Sequence, residues 1–440
     1  MSGRCRPRPL VFSNCGSAVA VTEVGGTAAS AGPIGRSSVA RVGAATALTA
    51  LCGYAVVYLA ARDLAPAGFS VFAVFWGAFG LVTGAANGLL QETTREVRSV
   101  RYTDVAAGRT HPLRVAGMLG AAAAVVIAGS SPLWSGQVFA EAPWLSVGLL
   151  SVGLAGFCLH ATLLGMLAGV DRWTQYGALM VTDAVIRVAV ATATFLIGWG
   201  LVGFLWATVA GAVAWLIMLV VSPTTRAAAR LMTPGGVTTF LRGAAHSITA
   251  AGASAILVMG FPVLLKATSA ELGAAGGVVI LAVTLTRAPL LVPLTAMQGN
   301  LIAHFVDERT ERLRALVAPA LLVAGIGGVG VLAAGLIGPW ILRAAFGPDY
   351  DAGSALLAWL TAAAVAIAML TLTGAAAVAA ALHRAYAVGW VGATVASTLL
   401  LLLPLPLETR TVVALMCGPL VGIGVHLAAL ARPAGWFISR

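Results

Sequence analysis

Apolar stretches of about twenty residues follow one another from Val42 to Leu430, separated by short polar segments. In a helix rising about 1.5 Å per residue, about 20 residues cross a hydrocarbon core about 30 Å thick. Inside that core each backbone amide must find its partner within its own segment, so the pattern predicts helices. Ala315–Ile337 is continuously apolar with no alternation of period two, which argues against a strand barrel. Six spans are predicted in the first half: Val42–Ala61, Ser70–Leu90, Val115–Leu133, Trp144–Ala168, Tyr176–Ile197 and Leu201–Val221. Six more follow: Ala244–Leu265, Ala274–Met297, Ala315–Ile337, Leu356–Ala376, Ala387–Leu405 and Thr411–Leu430. The expected fold class is an all-α polytopic membrane protein of about twelve transmembrane helices.

Composition narrows the picture. Of the 440 residues, 60% are hydrophobic and 9% charged, which leaves no room for a separate soluble domain. The net charge of +11 does not point to nucleic acid, because the cations are dispersed among short loops. Twenty of the 26 Lys and Arg fall in alternate segments: the N-terminal tail with Arg41, Arg95–Arg114, Arg172, Arg226–Arg242, Arg309–Arg314, Arg384, and Arg432 with Arg440. The intervening segments hold Arg62, Lys266, Arg343 and Arg410. By the positive-inside rule the rich side is cytoplasmic, and both termini lie there, as an even number of crossings requires. Trp134, Trp144, Trp199 and Trp340 fall at predicted outer ends, as an interfacial aromatic belt would place them.

Residues 1–37 are rich in Gly, Ala and Ser and are expected to form a disordered tail rather than a signal peptide, since Ser13, Asn14, Ser17 and Glu23 interrupt any apolar core. Residues 38–233 and 234–440 are expected to form two six-helix lobes. A sparse internal repeat supports that division. Arg62 matches Lys266 just beyond the first span of each half, and Asn87 with Gln91 matches Gln298 with Asn300 at the inner end of the second. Six helices per unit relate such repeats by an axis along the membrane normal. The five Cys form no CxxC pair and are read as small apolar residues or tail positions.

Charge within a span costs about 2.5–3.5 kcal/mol at its centre, so each instance calls for a reason. Arg287 lies near the middle of the eighth span and Arg187 near the middle of the fifth. As a functional site, Arg287 and Arg187 would dock an anionic phosphate, since a planar guanidinium grips two phosphate oxygens. Asp183 lies four residues before Arg187, on the same helix face. That pair reads equally as a self-neutralised contact fixing helix packing. Asn87, Gln91, Gln298 and Asn300 either line an inner vestibule or are solvated at the interface. His160, His246 and His426 read as hydrogen-bonded to neighbouring carbonyls. Pro289 and Pro293 are expected to kink the eighth span.

Other motifs fail on context. Gly325, Gly327 and Gly330 fit GxGxxG, but they lie mid-span, without the preceding strand that a dinucleotide site needs. Mid-span glycines instead permit close helix contact. The only lysine, Lys266, is followed by Ala, so no P-loop exists, and HExxH is absent. No cofactor and no metal are expected, and the chain is not read as an enzyme.

Four segments resemble the polysaccharide-exporter branch of the multidrug/oligosaccharidyl-lipid/polysaccharide (MOP) flippase superfamily, whose fold is MATE-like. They are Tyr58–Phe69, Leu167–Tyr176 leading to Asp183 and Arg187, Gly338–Tyr350 with its Phe-Gly-x-x-Tyr turn, and Leu382–Tyr386. The resemblance implies two lobes around a cavity that opens alternately to each side. It implies a bacterial cytoplasmic-membrane flippase for a polyprenyl-phosphate-linked sugar or oligosaccharide, acting as a monomer among membrane lipids and beside glycan-assembly enzymes. The chain departs from the lipid II flippase group, which usually carries two extra helices and a more cationic cavity, so a peptidoglycan role is disfavoured. Two alternatives stand beside this reading. A multidrug cation antiporter of the same superfamily would need a titratable carboxylate, and Asp183 is the only acid clearly inside a span. A glycosyltransferase or polymerase would need acids on sizeable external loops, whereas Asp63, Glu141, Glu271, Asp349, Asp351 and Glu408 sit on short turns.

Overall fold

The structure is a computed structural model that describes residues 36–99, 109–139, 141–297, 301, 304–306 and 312–431, nearly all of them helical. The first helix, α1 (Arg36–Ser99), contains both of the first two predicted spans. It is two helices joined at Ala65, whose φ of 52° and ψ of 172° are not helical. The break falls before Pro66, whose ring disfavours the helical conformation in the residue preceding it. The expected tail, residues 1–37, lies outside the described residues except for its last two positions, which begin α1.

After α1 come α2 (Pro112–Ser130), the short α3 (Ser135–Val138), α4 (Pro143–Gly169) and α5 (Trp173–Ile197). The sixth predicted span is α6 (Gly200–Ala210) and α7 (Ala214–Val221), joined by a 3-10 turn over Gly211–Val213, and α8 (Pro223–Ala229) follows. The seventh predicted span is not one straight helix. It is α9 (Val237–Val258) and α10 (Phe261–Ala267), bent by 67° at Met259 and Gly260, with Pro262 in the first turn of α10. The chain continues through α11 (Gly273–Ala296), which contains Pro289 and Pro293, then α12 (Arg312–Phe346), α13 (Ser354–Ala379), α14 (His383–Leu401) and α15 (Leu407–Leu430). Among the described residues, nine helices are long and apolar enough to cross a membrane, or ten if α9 and α10 form one span.

One element has no counterpart in the apolar pattern. β1 (Arg109–Thr110) pairs antiparallel with β2 (Thr233–Pro234), joining the segment after α1 to the segment between the halves. Buried Thr110 donates its hydroxyl to the carbonyl of Gly235 at 2.8 Å. The expected domain boundary at 233/234 falls within β2.

The second part of α1 lies along α9. A Cβ at Gly84 would press on Ala255, and one at Gly88 would run into the backbone of Ser247 and Ile248. Glycine therefore lets the first and second halves of the chain meet at backbone distance. The largest core cluster also crosses the halves, joining Val57, Ala61, Phe69 and Phe72 of α1 to Leu257, Phe261, Ile280 and Leu281. By contrast α12 rests mainly on α13 and presents Leu321, Leu332 and Leu336 outward, each more than two-thirds exposed. Such a face suits lipid, where leucine has nothing to gain from burial in protein. Of the GxGxxG glycines, Gly327 packs on Val365 of α13 while Gly325 meets open space.

The two halves share an irregular turn that the sequence repeat did not include. Between α4 and α5, Asp171 has φ 59°, and between α13 and α14, Ala381 also has φ 59°. In each turn the next residue, Arg172 or Leu382, donates its amide to a carbonyl five residues back, in both cases at 2.9 Å. Tyr176 and Tyr386 occupy matching places after the two turns and donate their amides to Arg172 and Leu382.

Candidate functional site

Arg287 is 7% exposed within α11, and no carboxylate pairs with it among the described residues. Its Nη1 points at the carbonyls of Leu257 and Val258, at 3.5 and 3.3 Å. These are the last carbonyls of α9, which the bend deprives of further helical amides. The guanidinium also lies 5.2 Å from the ring centroid of Phe261, the first residue of α10. One side of Arg287 thus caps the negative end of a helix and rests on an aromatic face. The other side is uncommitted: Nη2 is buried without a hydrogen-bond partner among the described residues. Tyr54 of α1 stands within electrostatic reach, so the cation lies where α1, α9 and α11 converge.

Asp183 and Arg187 do pair, Nη2 donating to Oδ1 at 3.1 Å, with both side chains largely buried. Arg187 also sits 5.3 Å over the ring of Phe79 from α1. The pair fits because residue 211 is glycine: a Cβ there would collide with Asp183 Oδ1 and Arg187 Nε. Gly211→Ala is therefore expected to destabilise the fold by about 1–3 kcal/mol, measurable as a lower thermal midpoint in detergent. In the second half, Gly418 faces the hydroxyl of buried Ser397, which donates to the carbonyl of Ala414 at 2.9 Å. A similar glycine contact is made there without charge.

Of the predicted vestibule amides, Asn87 is half-buried and Gln91, one turn further along α1, is exposed. Gln298 and Asn300 lie outside the described residues. The part of α1 preceding Tyr54 is loosely covered: a Cβ at Gly43 or Gly53 would meet nothing within 4 Å, and Leu51 is 67% exposed. A surface groove of about 480 Å³ between α13 and α15, bordered by Trp359, Glu408, Val412 and Met416, contains none of the predicted site residues.

His426 is fully satisfied, with Nδ1 3.0 Å from the Thr373 hydroxyl and Nε2 3.3 Å from the Tyr386 carbonyl. His246 lies 2.8 Å from the carbonyl of Arg242. His160 differs, stacking on Phe157 with Nδ1 buried and unpartnered, in reach of the Asp183–Arg187 charges. Sequence reasoning missed Glu92. It is 2% exposed where α1 meets α9, paired with Arg95 at 2.6 Å and packed against Gly243. Only its place one residue after Gln91, at the end of an apolar span, could have suggested it.

The arrangement of helices matches solved transporters. An inward-facing multidrug-resistance MATE family transporter of the MOP superfamily superposes with a TM-score of 0.69 at 16% identity, covering 87% of this chain and 94% of that one. An outward-facing conformation of a MATE family transporter gives 0.59 at 15% identity, covering 90% and 96%. The chain is thus a multi-pass helical membrane protein with the MATE transporter fold. No protein-family model matches it. It belongs to the same family as the uncharacterized protein Rv3630 of Mycobacterium tuberculosis, which is 81% identical over 424 residues, 94% of this chain and 98% of the relative. Uncharacterized protein Rv1510 of the same species is 78% identical over 419 residues, 95% of this chain and 97% of the relative.

Proposed function

We propose that this protein is a membrane transporter that carries a polyprenyl-phosphate-linked sugar or oligosaccharide across the bacterial cytoplasmic membrane by alternating access. The observation that carries the reading is Arg287: a buried cation with no paired carboxylate among the described residues, where the two halves converge, with one edge of its guanidinium uncommitted. A phosphate or pyrophosphate is the ligand that such an edge binds best. Residues 38–233 and 234–440 act as the two lobes. The sugar-phosphate head travels between them while the lipid tail stays in the bilayer. The loosely covered stretch of α1 around Gly43–Gly53 provides the tail's exit towards lipid on the cytoplasmic side.

The antiporter reading draws on the multidrug transporters that share the fold, and it needs a carboxylate free to exchange ions. Asp183 is tied to Arg187, which favours the flippase. Deleting the gene in its host should raise the total pool of one lipid-linked glycan several-fold, read by mass spectrometry of extracted lipids. Unchanged lipid-linked sugars together with cell accumulation of cationic dyes would establish the antiporter instead.

A further inference from the structure

The turn between α12 and α13 meets the break in α1, so that residues far apart in sequence close one end of the molecule. Tyr350 is 1% exposed and donates its hydroxyl to the carbonyl of Ala61 at 3.0 Å. That carbonyl belongs to the last turn before the break at Ala65. The ring of Tyr350 meets Phe69 edge-on, with centroids 6.2 Å apart. Phe346 lies 5.9 Å from Tyr350 and 5.5 Å from Tyr58, the latter also edge-on. Tyr58 and Phe69 come from the first half of the chain, Phe346 and Tyr350 from the second. Such edge-on aromatic contacts contribute about 0.5–1.5 kcal/mol each beyond the area they bury.

The turn is built to present these rings. Gly347 adopts φ 112°, a value that side chains disfavour, and it lets the chain leave α12 abruptly. Arg343 and Asp351 form an ion pair across the turn. Burial, with Asp349 adding to it, pushes the Tyr350 hydroxyl up from the ordinary phenol range, so it keeps its proton and remains a donor. In the first part of α1, by contrast, a Cβ at Gly43 or Gly53 would meet open space among the described residues.

We propose that Tyr58, Phe69, Phe346 and Tyr350 form the outer gate of the transporter, an aromatic clasp locked by the bond from Tyr350 to Ala61. The assignment rests on the alternating-access reading but not on the identity of the substrate. A bond to a carbonyl beside a helix break suits a gate, because water can replace the hydroxyl when the mouth opens.

The test uses the full-length protein with its native cysteines replaced and a single new cysteine at Val57, which is 5% exposed and one turn from Ala61. A membrane-impermeant maleimide is applied outside intact cells. Labelling of Val57→Cys should be slow in the parent and about five- to tenfold faster with Tyr350→Phe, the shift expected for losing one buried hydrogen bond. Tyr350→Ala should be faster still. In inside-out vesicles, a cysteine at Asn87 should label at or below the parent rate in the same variants, since opening one side closes the other. Parent-rate labelling of Val57→Cys in both Tyr350 variants overturns the proposal. So does faster labelling at both cysteines, which marks general loosening. Because neither readout involves a glycan, a failed substrate assignment and a failed gate give different results.

Discussion

Arg287→Ala is expected to reduce lipid-linked glycan export at least about tenfold, because a hydrogen bond to a charged group contributes about 1.5–3 kcal/mol. The substitution removes two things: the uncommitted edge assigned to phosphate, and the cap on the carbonyls of Leu257 and Val258. Arg287→Lys separates them. A lysine keeps one positive charge near the carbonyls but cannot present two parallel donors to a phosphate. Export should therefore fall with lysine too, while the thermal midpoint falls less than with alanine. The measurement is the rate at which labelled lipid-linked glycan changes leaflet in proteoliposomes, alongside unfolding in detergent. Full export by Arg287→Ala would eliminate the phosphate-docking role. Loss of dye efflux with intact glycan export would instead support the antiporter.

The second large effect concerns the Asp183–Arg187 pair. Asp183→Leu alone leaves a buried guanidinium whose remaining contact is the ring of Phe79, and about 3–5 kcal/mol of stability should be lost. Adding Arg187→Met should restore most of it, since apolar residues of similar size commonly replace a buried pair without penalty. Export in the double variant is expected to return with stability, because the two charges already engage each other and Arg187 rests on Phe79. Recovery of stability without recovery of export would make Arg187 a second phosphate contact. The cycle thus assigns the pair to packing or to transport on measurements that a single substitution cannot provide.

Most helices were legible because lipid solvation makes an apolar run and its helical outcome nearly the same statement. Charge cost was equally informative. It singled out Arg287, and the four-residue spacing of Asp183 and Arg187 anticipated their ion pair. Where helices break was harder to see, although the signals were present. The break at Ala65, before Pro66, falls in the gap predicted between the first two spans, but that at Gly260, before Phe261-Pro262, lay inside the seventh, because membrane helices tolerate proline often enough that it did not declare itself. The function of the Arg287 cap was hidden for this reason, since the carbonyls it serves exist only because α9 stops. Glu92 was missed because its burial comes from Gly243 on a helix far away in sequence. The repeat was read from side chains near Arg62 and Lys266. The turns at Asp171 and Ala381 match in backbone geometry while sharing only the tyrosine that follows, Tyr176 or Tyr386.

The two-stranded ribbon sets a mechanical limit on how the halves move. β2 ends at Pro234 and α9 starts at Val237, so only Gly235 and Gly236 lie between an anchored strand and a rigid helix. Two residues stretch to about 7 Å at full extension. Any larger sideways slip at this corner would tear Thr110 from Gly235. Motion here is accordingly a rotation about a short leash, and the travel needed to expose the far mouth grows with distance from it.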